Sequence, residues 1–254
     1  MDSLQRILLP TVIAFWLVMG MFHMFSQTHP QIINAGGFVF FLTQVLFDAA
    51  ACLLTFKIVA LIAPNRKFLA LCFAIALLGL TLSDFFYNAS QVGFIPLSVF
   101  DLAYFDNLPQ LGFYVFMLIG FGRLLSVERT ESEHPSSLLL KLLAFVVLVL
   151  FIAIFFFSTS SLISVHTPLG ALLAAETVAQ ALGVFLALLV MARASHFAVN
   201  YTVCGFILIV LSNFLGNIGL ETGVSFSGPM LETFWMLGSI LLATGAYIRV
   251  RSLK

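Results

Sequence analysis

Charge is what this sequence has least of: Asp, Glu, Lys and Arg make up 9% of its 254 residues, against 61% hydrophobic residues. A soluble domain of this length needs roughly a quarter of its residues charged to keep its surface in water. That class is excluded. No stretch shows the two-residue alternation, over about ten residues, that an outer-membrane barrel requires. Cysteine is scarce as well. Cys52, Cys72 and Cys204 lie inside apolar runs and form no CxxC, which argues against a stabilising disulfide.

Further absences exclude particular chemistries. A retinal Schiff base needs a lysine deep in a late helix, and the mid-sequence candidate, Lys57, falls near a helix end. Haem ligation across a bundle needs paired histidines inside the membrane. His23 sits near a span end, and His29 and His166 belong to loops, without an HxxE or HExxH to suggest zinc. There is no nucleophile elbow and no phosphate-binding loop. We therefore expect no cofactor, no metal and no catalytic residue.

What is present is long apolar runs and 29 phenylalanines. About 20 apolar residues cross a hydrocarbon core of about 30 Å, and backbone groups in lipid must pair within a helix. Eight such runs occur, at 7–25, 38–63, 67–89, 98–124, 138–158, 168–192, 197–221 and 229–249. The first is too long for a signal peptide and no small-x-small site follows, so it reads as a retained helix. The expected class is an all-α membrane protein with eight transmembrane helices.

All 11 Lys and Arg residues fall in alternate loops, the termini or the adjoining helix ends. The intervening loops "SQTHPQIINAGG", "SQVGFIPLS", "STSSLISVHT" and "ETGVSFSG" contain none. The positive-inside rule then places both termini in the cytoplasm of a cell-membrane protein.

The apolar runs carry polar residues at regular intervals. Ser83–Asn88 reads "SDFFYN" and Ser212–Asn217 reads "SNFLGN", a Ser-[Asp/Asn]-Phe-x-x-Asn pattern repeated 129 positions apart. The runs at 38–63 and 168–192 each carry a mid-span acid, Asp48 or Glu176. Those at 98–124 and 229–249 follow a Pro-containing loop and begin with an acid, Asp101 or Glu232. With the almost wholly apolar runs at 7–25 and 138–158, these make four matched features in order, which indicate two parallel four-helix repeats, residues 1–125 and 138–254, joined by a cytoplasmic connector at 126–137.

Residues four apart share a helix face. Gln44 with Asp48, Asp84 with Asn88, Glu176 with Gln180, and Asn213 with Asn217 form such stripes, as do Asp106, Gln110 and Tyr114 in the fourth span. These eleven residues are the candidate ligand-binding set. The simplest assembly surrounds a polar interior with spans 2, 3, 4, 6 and 7, places span 8 beside it, and leaves spans 1 and 5 to lipid. Depth along the helices puts Asp48, Asp106, Glu176 and Asn213 roughly 12–15 Å below the outer helix ends. An acid near mid-membrane costs at least about 2.5–3.5 kcal/mol, so such a set implies an acid-lined cavity open to the extracytoplasmic side. Asp101, three residues after Ser98, reads instead as a capping box. Glu232, after Pro229, reads as an acid at a helix start, and Ala175, Ala179 and Gly183 as a close-packing seam.

The segments "SDFFYNASQVGFIPLSVFDLAYFDNLPQLGFYVFMLIGFGRLL" and "SNFLGNIGLETGVSFSGPMLETFWMLGSILLATGAYIR" resemble the multi-helix input modules of bacterial diguanylate cyclases and sensor histidine kinases. The resemblance covers about half the chain. It implies a membrane sensor that binds a small ligand and signals to a cytoplasmic domain or partner protein. No cyclase or kinase domain follows "IRVRSLK", and Asn213 replaces the aspartate that the pattern favours. The acids favour a cationic or amphiphilic ligand. A lysoplasmalogenase-like intramembrane hydrolase and a proton-coupled transporter are the alternatives. The expected partners are the bilayer, the small or lipid-like ligand, the signalling output and, as one option, a second copy of the chain; nucleic acid is not among them.

Overall fold

The computed structural model describes residues 3–29, 33–96, 98–127, 167–193, 197–222 and 228–253, with five positions between 142 and 149. Seven long helices lie among them: α1 (Ser3–Gln27), α2 (Ile33–Leu61), α3 (Lys67–Gln91), α4 (Val99–Val127), α5 (Pro168–Met191), α6 (Phe197–Thr222) and α7 (Gly228–Ser252). A 3-10 turn at Pro64–Arg66 joins α2 to α3. All seven helices are long and apolar enough to cross a membrane, and no strand occurs among the described residues. The chain is a multi-pass, all-helical membrane protein. The run expected to span at 138–158 lies outside the described residues, except for Leu142, Leu143, Phe145, Val146 and Val149, which are helical and exposed.

Local chemistry sets the helix ends. Ser98 Oγ accepts the Asp101 backbone N–H at 3.1 Å and donates to the Asp101 carboxylate at 2.6 Å, forming the expected capping box of α4. Thr167 caps α5 by accepting from Gly170 N, with Pro168 at the first helical position, where its missing N–H costs nothing. α3 closes through paired bonds from Phe94 N to Ala89 O and from Gly93 N to Ser90 O. Gly93 takes φ 72°, a backbone state that glycine adopts without strain.

Neighbour relations close six helices into a ring in the order α2, α3, α4, α5, α6, α7, with α7 returning to α2; α1 lies outside it against α2 and α7. Small residues permit the closest approaches. A Cβ on Gly79 would stand 2.6 Å from Pro109 O and 3.1 Å from Phe113 N, where α3 meets α4. A Cβ on Gly205 would stand 2.7 Å from Gly238 O and 3.1 Å from Leu242 N, where α6 meets α7. In lipid, helices associate through close packing and interhelical hydrogen bonds, because no water is expelled to drive them together. Of the expected seam on α5, Ala179 and Gly183 are buried and Ala175 is exposed.

One placement differs from expectation. The run at 229–249 does not stand beside the ring. As α7 it is a member, and its central window is the most buried of the seven. It lacks a mid-span acid, which is why charge patterning set it aside. It faces the interior with an indole and a hydroxyl, Trp235 and Ser239.

Candidate functional site

The interior of the ring is apolar toward the arginine-bearing helix ends and polar further along. Phe113, Met117, Phe121, Phe206 and Leu242 fill the apolar part. Phe206 meets the rings of Phe113, Tyr114 and Phe121 at centroid distances of 5.7, 6.2 and 5.2 Å. Beyond this layer the polar side chains form two groups.

The first group centres on the repeated motif in α3. Asp84 Oδ2 accepts a hydrogen bond from the Trp235 indole Nε1 of α7 at 3.0 Å. Gln44 and Asp48 of α2 border the Asp84 carboxylate, and all three side chains are buried. Asp48 is 0% exposed; its carboxyl group meets the Asp84 carboxyl and the Ser239 hydroxyl, but neither of its oxygens has a partner in full hydrogen-bond geometry among the described residues. Ser83, the residue before Asp84, donates to Asp106 Oδ1 of α4 at 2.5 Å.

The second group centres on the motif copy in α6. Asn213 Nδ2 donates to Glu176 Oε1 of α5 at 2.8 Å and to the Tyr114 hydroxyl of α4 at 3.3 Å. Gln180 donates to the same Glu176 oxygen at 3.0 Å, one helical turn away. Gln110 donates to the Tyr114 hydroxyl at 3.3 Å. Glu176 Oε2 has no partner among the described residues.

The two groups share a plan. In each, the motif residue stands beside an acid of the helix before it: Asp84 beside Asp48, Asn213 beside Glu176. Each also bonds a polar-tipped aromatic on a helix that is not its own ring neighbour: Asp84 to Trp235, Asn213 to Tyr114. This is what the repeated polar motif does in an otherwise apolar helix. A lone carboxylate or amide in lipid would be costly, whereas these close the ring through its interior.

Of the eleven candidate residues, ten have described side chains. Gln44, Asp48, Asp84, Asp106, Gln110, Tyr114, Glu176, Gln180 and Asn213 belong to the two groups. Asn88 instead bonds back to the Asp84 carbonyl of its own helix at 2.8 Å. The Asn217 side chain lies outside the described residues.

Sequence reasoning missed two partners. Trp235 sits in an apolar run and carries no charge to mark it. His23 Nε2 pairs with Glu232 Oε2 at 2.7 Å, with the His23 ring stacked on Phe40 at 4.0 Å. Together with the Trp16 indole, which donates to Thr233 O at 2.8 Å, this pair ties α1 to α7 outside the ring. The sequence places a histidine and a glutamate each about one turn from the uncharged end of an apolar run, but nothing in it pairs those two runs.

A cavity of about 290 Å³ opens at the opposite end from these polar groups' outer limit. Ile58, Phe73, Leu77, Phe121 and Leu242 line its walls, with Arg66 and Arg249 at the helix ends. None of the eleven candidate residues lines it. No cluster of three or more metal-ligating side chains occurs among the described residues. No family model, curated protein or solved structure matches the chain, so the likeness to cyclase and kinase input modules rests on its quoted residues alone.

Proposed function

We propose that the chain is a membrane sensor or receptor module in which a small ligand bearing a cationic or hydrogen-bond-donating group binds at Asp48. The observation that carries this reading is the wholly buried Asp48 carboxyl group, whose oxygens meet only Asp84 and Ser239 and have no partner in full hydrogen-bond geometry among the described residues. A buried acid without partners is costly, and an ammonium or donor group would supply what it lacks. Asp84 is already engaged by Trp235, and Glu176 keeps one oxygen, Oε2, for a similar contact.

Because Asp48 is sealed, a ligand reaches it only when the ring opens. A ligand that binds the open state better shifts the balance toward it by that difference in affinity. Opening moves residues 1–125 against 138–254, and α7 carries the motion to the end at which the chain's signalling output would lie. Two parallel repeats fit this scheme. The order of neighbours around the ring is unchanged when α2, α3 and α4 are exchanged with α5, α6 and α7. A glycine also sits at each of the corresponding contacts, Gly79 on Pro109 and Phe113 and Gly205 on Gly238 and Leu242, although at different positions relative to the repeated motif.

The test is a thermal-shift screen of primary amines and cationic amphiphiles against wild type and Asp48→Asn. Compounds that stabilise wild type and lose most of that effect in the variant support the reading. A screen in which every stabilising compound acts equally on both would reject it.

One observation favours a second reading, a proton-coupled transporter. Asp48 of α2 and Asp84 of α3 stand side by side against Ser239 and Trp235 of α7, an arrangement in which a single proton can be held and released. Proteoliposomes separate the two: ligand-dependent proton uptake belongs to a transporter, and ligand binding without uptake belongs to a sensor.

A further inference from the structure

The cavity at the arginine-bearing end serves neither polar group, and its chemistry is opposite to theirs. Its walls come from α2, α3, α4, α6 and α7, so it lies inside the ring. The side chains that face it are mostly aliphatic or aromatic, with the hydroxyls of Thr55 and Thr202 among them. Two cations complete the lining, Arg66 at the start of α3 and Arg249 in the last turn of α7. No carboxylate lines it. The acids with described side chains on the ring helices, Asp48, Asp84, Asp101, Asp106, Glu176 and Glu232, all stand outside the lining, and none of them pairs with Arg66.

We infer that this cavity binds a single-chain anionic amphiphile, its acyl chain between Phe73, Leu77, Phe121 and Leu242 and its headgroup at Arg66 and Arg249. Three physical arguments converge. An apolar enclosure of this size within a bundle is where small ligands bind, a few polar groups fixing their orientation. Guanidinium groups recognise carboxylate and phosphate oxygens through paired donors. Placement at the helix ends sets both arginines at headgroup depth while the cavity continues inward among apolar side chains. The cavity is partly open, and its volume of about 290 Å³ suits one acyl chain better than two.

The site also sits within reach of the polar core. Met117, in the cavity lining, is three residues from Tyr114, and Leu242 is three residues from Ser239. At 1.5 Å per residue these separations are roughly 4.5 Å along each helix. An occupant that spreads α4 from α7 therefore acts on the residues that hold Asn213 and border Asp48.

This inference does not depend on the ligand proposed for Asp48, and its test uses ligands of opposite charge. The protein is placed in nanodiscs of zwitterionic phosphatidylcholine, and equilibrium binding is measured for dodecanoate, lysophosphatidic acid, dodecanol and dodecyltrimethylammonium. Saturable binding of at least one anion, about tenfold or more tighter than dodecanol, is expected. Comparison of dodecanoate with lysophosphatidic acid then tells a carboxylate from a phosphate headgroup. Arg66→Gln, at an exposed position, should bring anion affinity down toward that of dodecanol. Ala246→Phe, which fills the cavity, should abolish binding of both. If Ala246→Phe fails to fold, the charge comparison with Arg66→Gln decides alone. Equal affinity for dodecanol and the anions, or anion binding unchanged in Arg66→Gln, would overturn the assignment. Asp48→Asn should leave anion binding in place, so failure of the sensor reading and failure of this one give different results.

Discussion

The indole of Trp235 donates to Asp84 across 3.0 Å, joining α7 to α3 through the middle of the ring over 151 positions of sequence. Its counterpart joins Asn213 of α6 to Tyr114 of α4 at 3.3 Å. Neither α3 and α7 nor α6 and α4 are neighbours around the ring. These bonds are therefore cross-braces, and their removal acts on the interior while each helix keeps its packing partners.

Trp235→Phe removes the donor and leaves a buried Asp84 oxygen without it. Loss of about 1–3 kcal/mol of stability is expected, read as a lowered thermal transition in detergent. In a double-mutant cycle with Asp84→Leu, the two losses should be clearly less than additive. Additive losses would mean the indole and the carboxylate do not interact.

On the other brace, Asn213→Leu should cost more than Tyr114→Phe. Asn213 makes a 2.8 Å bond to the Glu176 carboxylate as well as the contact to Tyr114, whereas removing the tyrosine hydroxyl takes only the two 3.3 Å contacts, from Gln110 and Asn213, and leaves Asn213 bonded to Glu176. About 1–3 kcal/mol against about 1 kcal/mol is the expected order. Chemical denaturation of both variants in the same micelle checks it.

Close packing gives a sharper contrast. Gly79→Ala places a methyl 2.6 Å from the Pro109 carbonyl, a backbone atom that cannot swing aside. The α3–α4 contact must then open, with a loss on the order of 1–3 kcal/mol. Gly112→Ala, on the same α4 and with nothing within 4 Å of the new methyl, should be neutral or stabilising by up to about 1 kcal/mol. Equal effects would show that α3 and α4 do not approach at Gly79.

Topology is open to direct labelling. After Cys52, Cys72 and Cys204 are replaced, Thr28→Cys should react with an impermeant maleimide in intact cells and Ser126→Cys should not, since both positions are exposed at opposite helix ends. Reaction at 126 from outside would reverse the orientation that the arginines and lysines imply.

Much of this arrangement was legible in the chain. Apolar length marks the helices, because lipid leaves the backbone no other way to pair. The i, i+4 stripes mark which faces turn inward, and Gln44, Asp48, Asp84, Glu176 and Gln180 are indeed buried. Ser98 and Asp101 form the cap their spacing suggests. What could not be read are contacts made by residues whose type fits two environments. An indole in an apolar run looks like lipid-facing filler until an acceptor is placed opposite it, as Asp84 is for Trp235. Glu232 near a helix start satisfies a dipole argument by itself, and only the approach of α1 brings His23 to it. The cavity beside Arg66 and Arg249 is likewise a product of packing, since it draws on five helices and no single stretch of sequence contains it.

The sensor reading stands or falls on whether the buried carboxyl group of Asp48 receives the ligand. The most direct measurement is the dissociation constant of one amine, chosen from the thermal-shift screen, for wild type, Asp48→Asn, Asp84→Asn and Asp101→Asn in the same lipid. Loss of a charge-assisted contact predicts affinity weakened about tenfold to hundredfold by Asp48→Asn. A smaller loss is expected for Asp84→Asn, whose amide oxygen can still accept from Trp235, and none for Asp101→Asn at the exposed cap. The same dissociation constant in wild type and Asp48→Asn would contradict it.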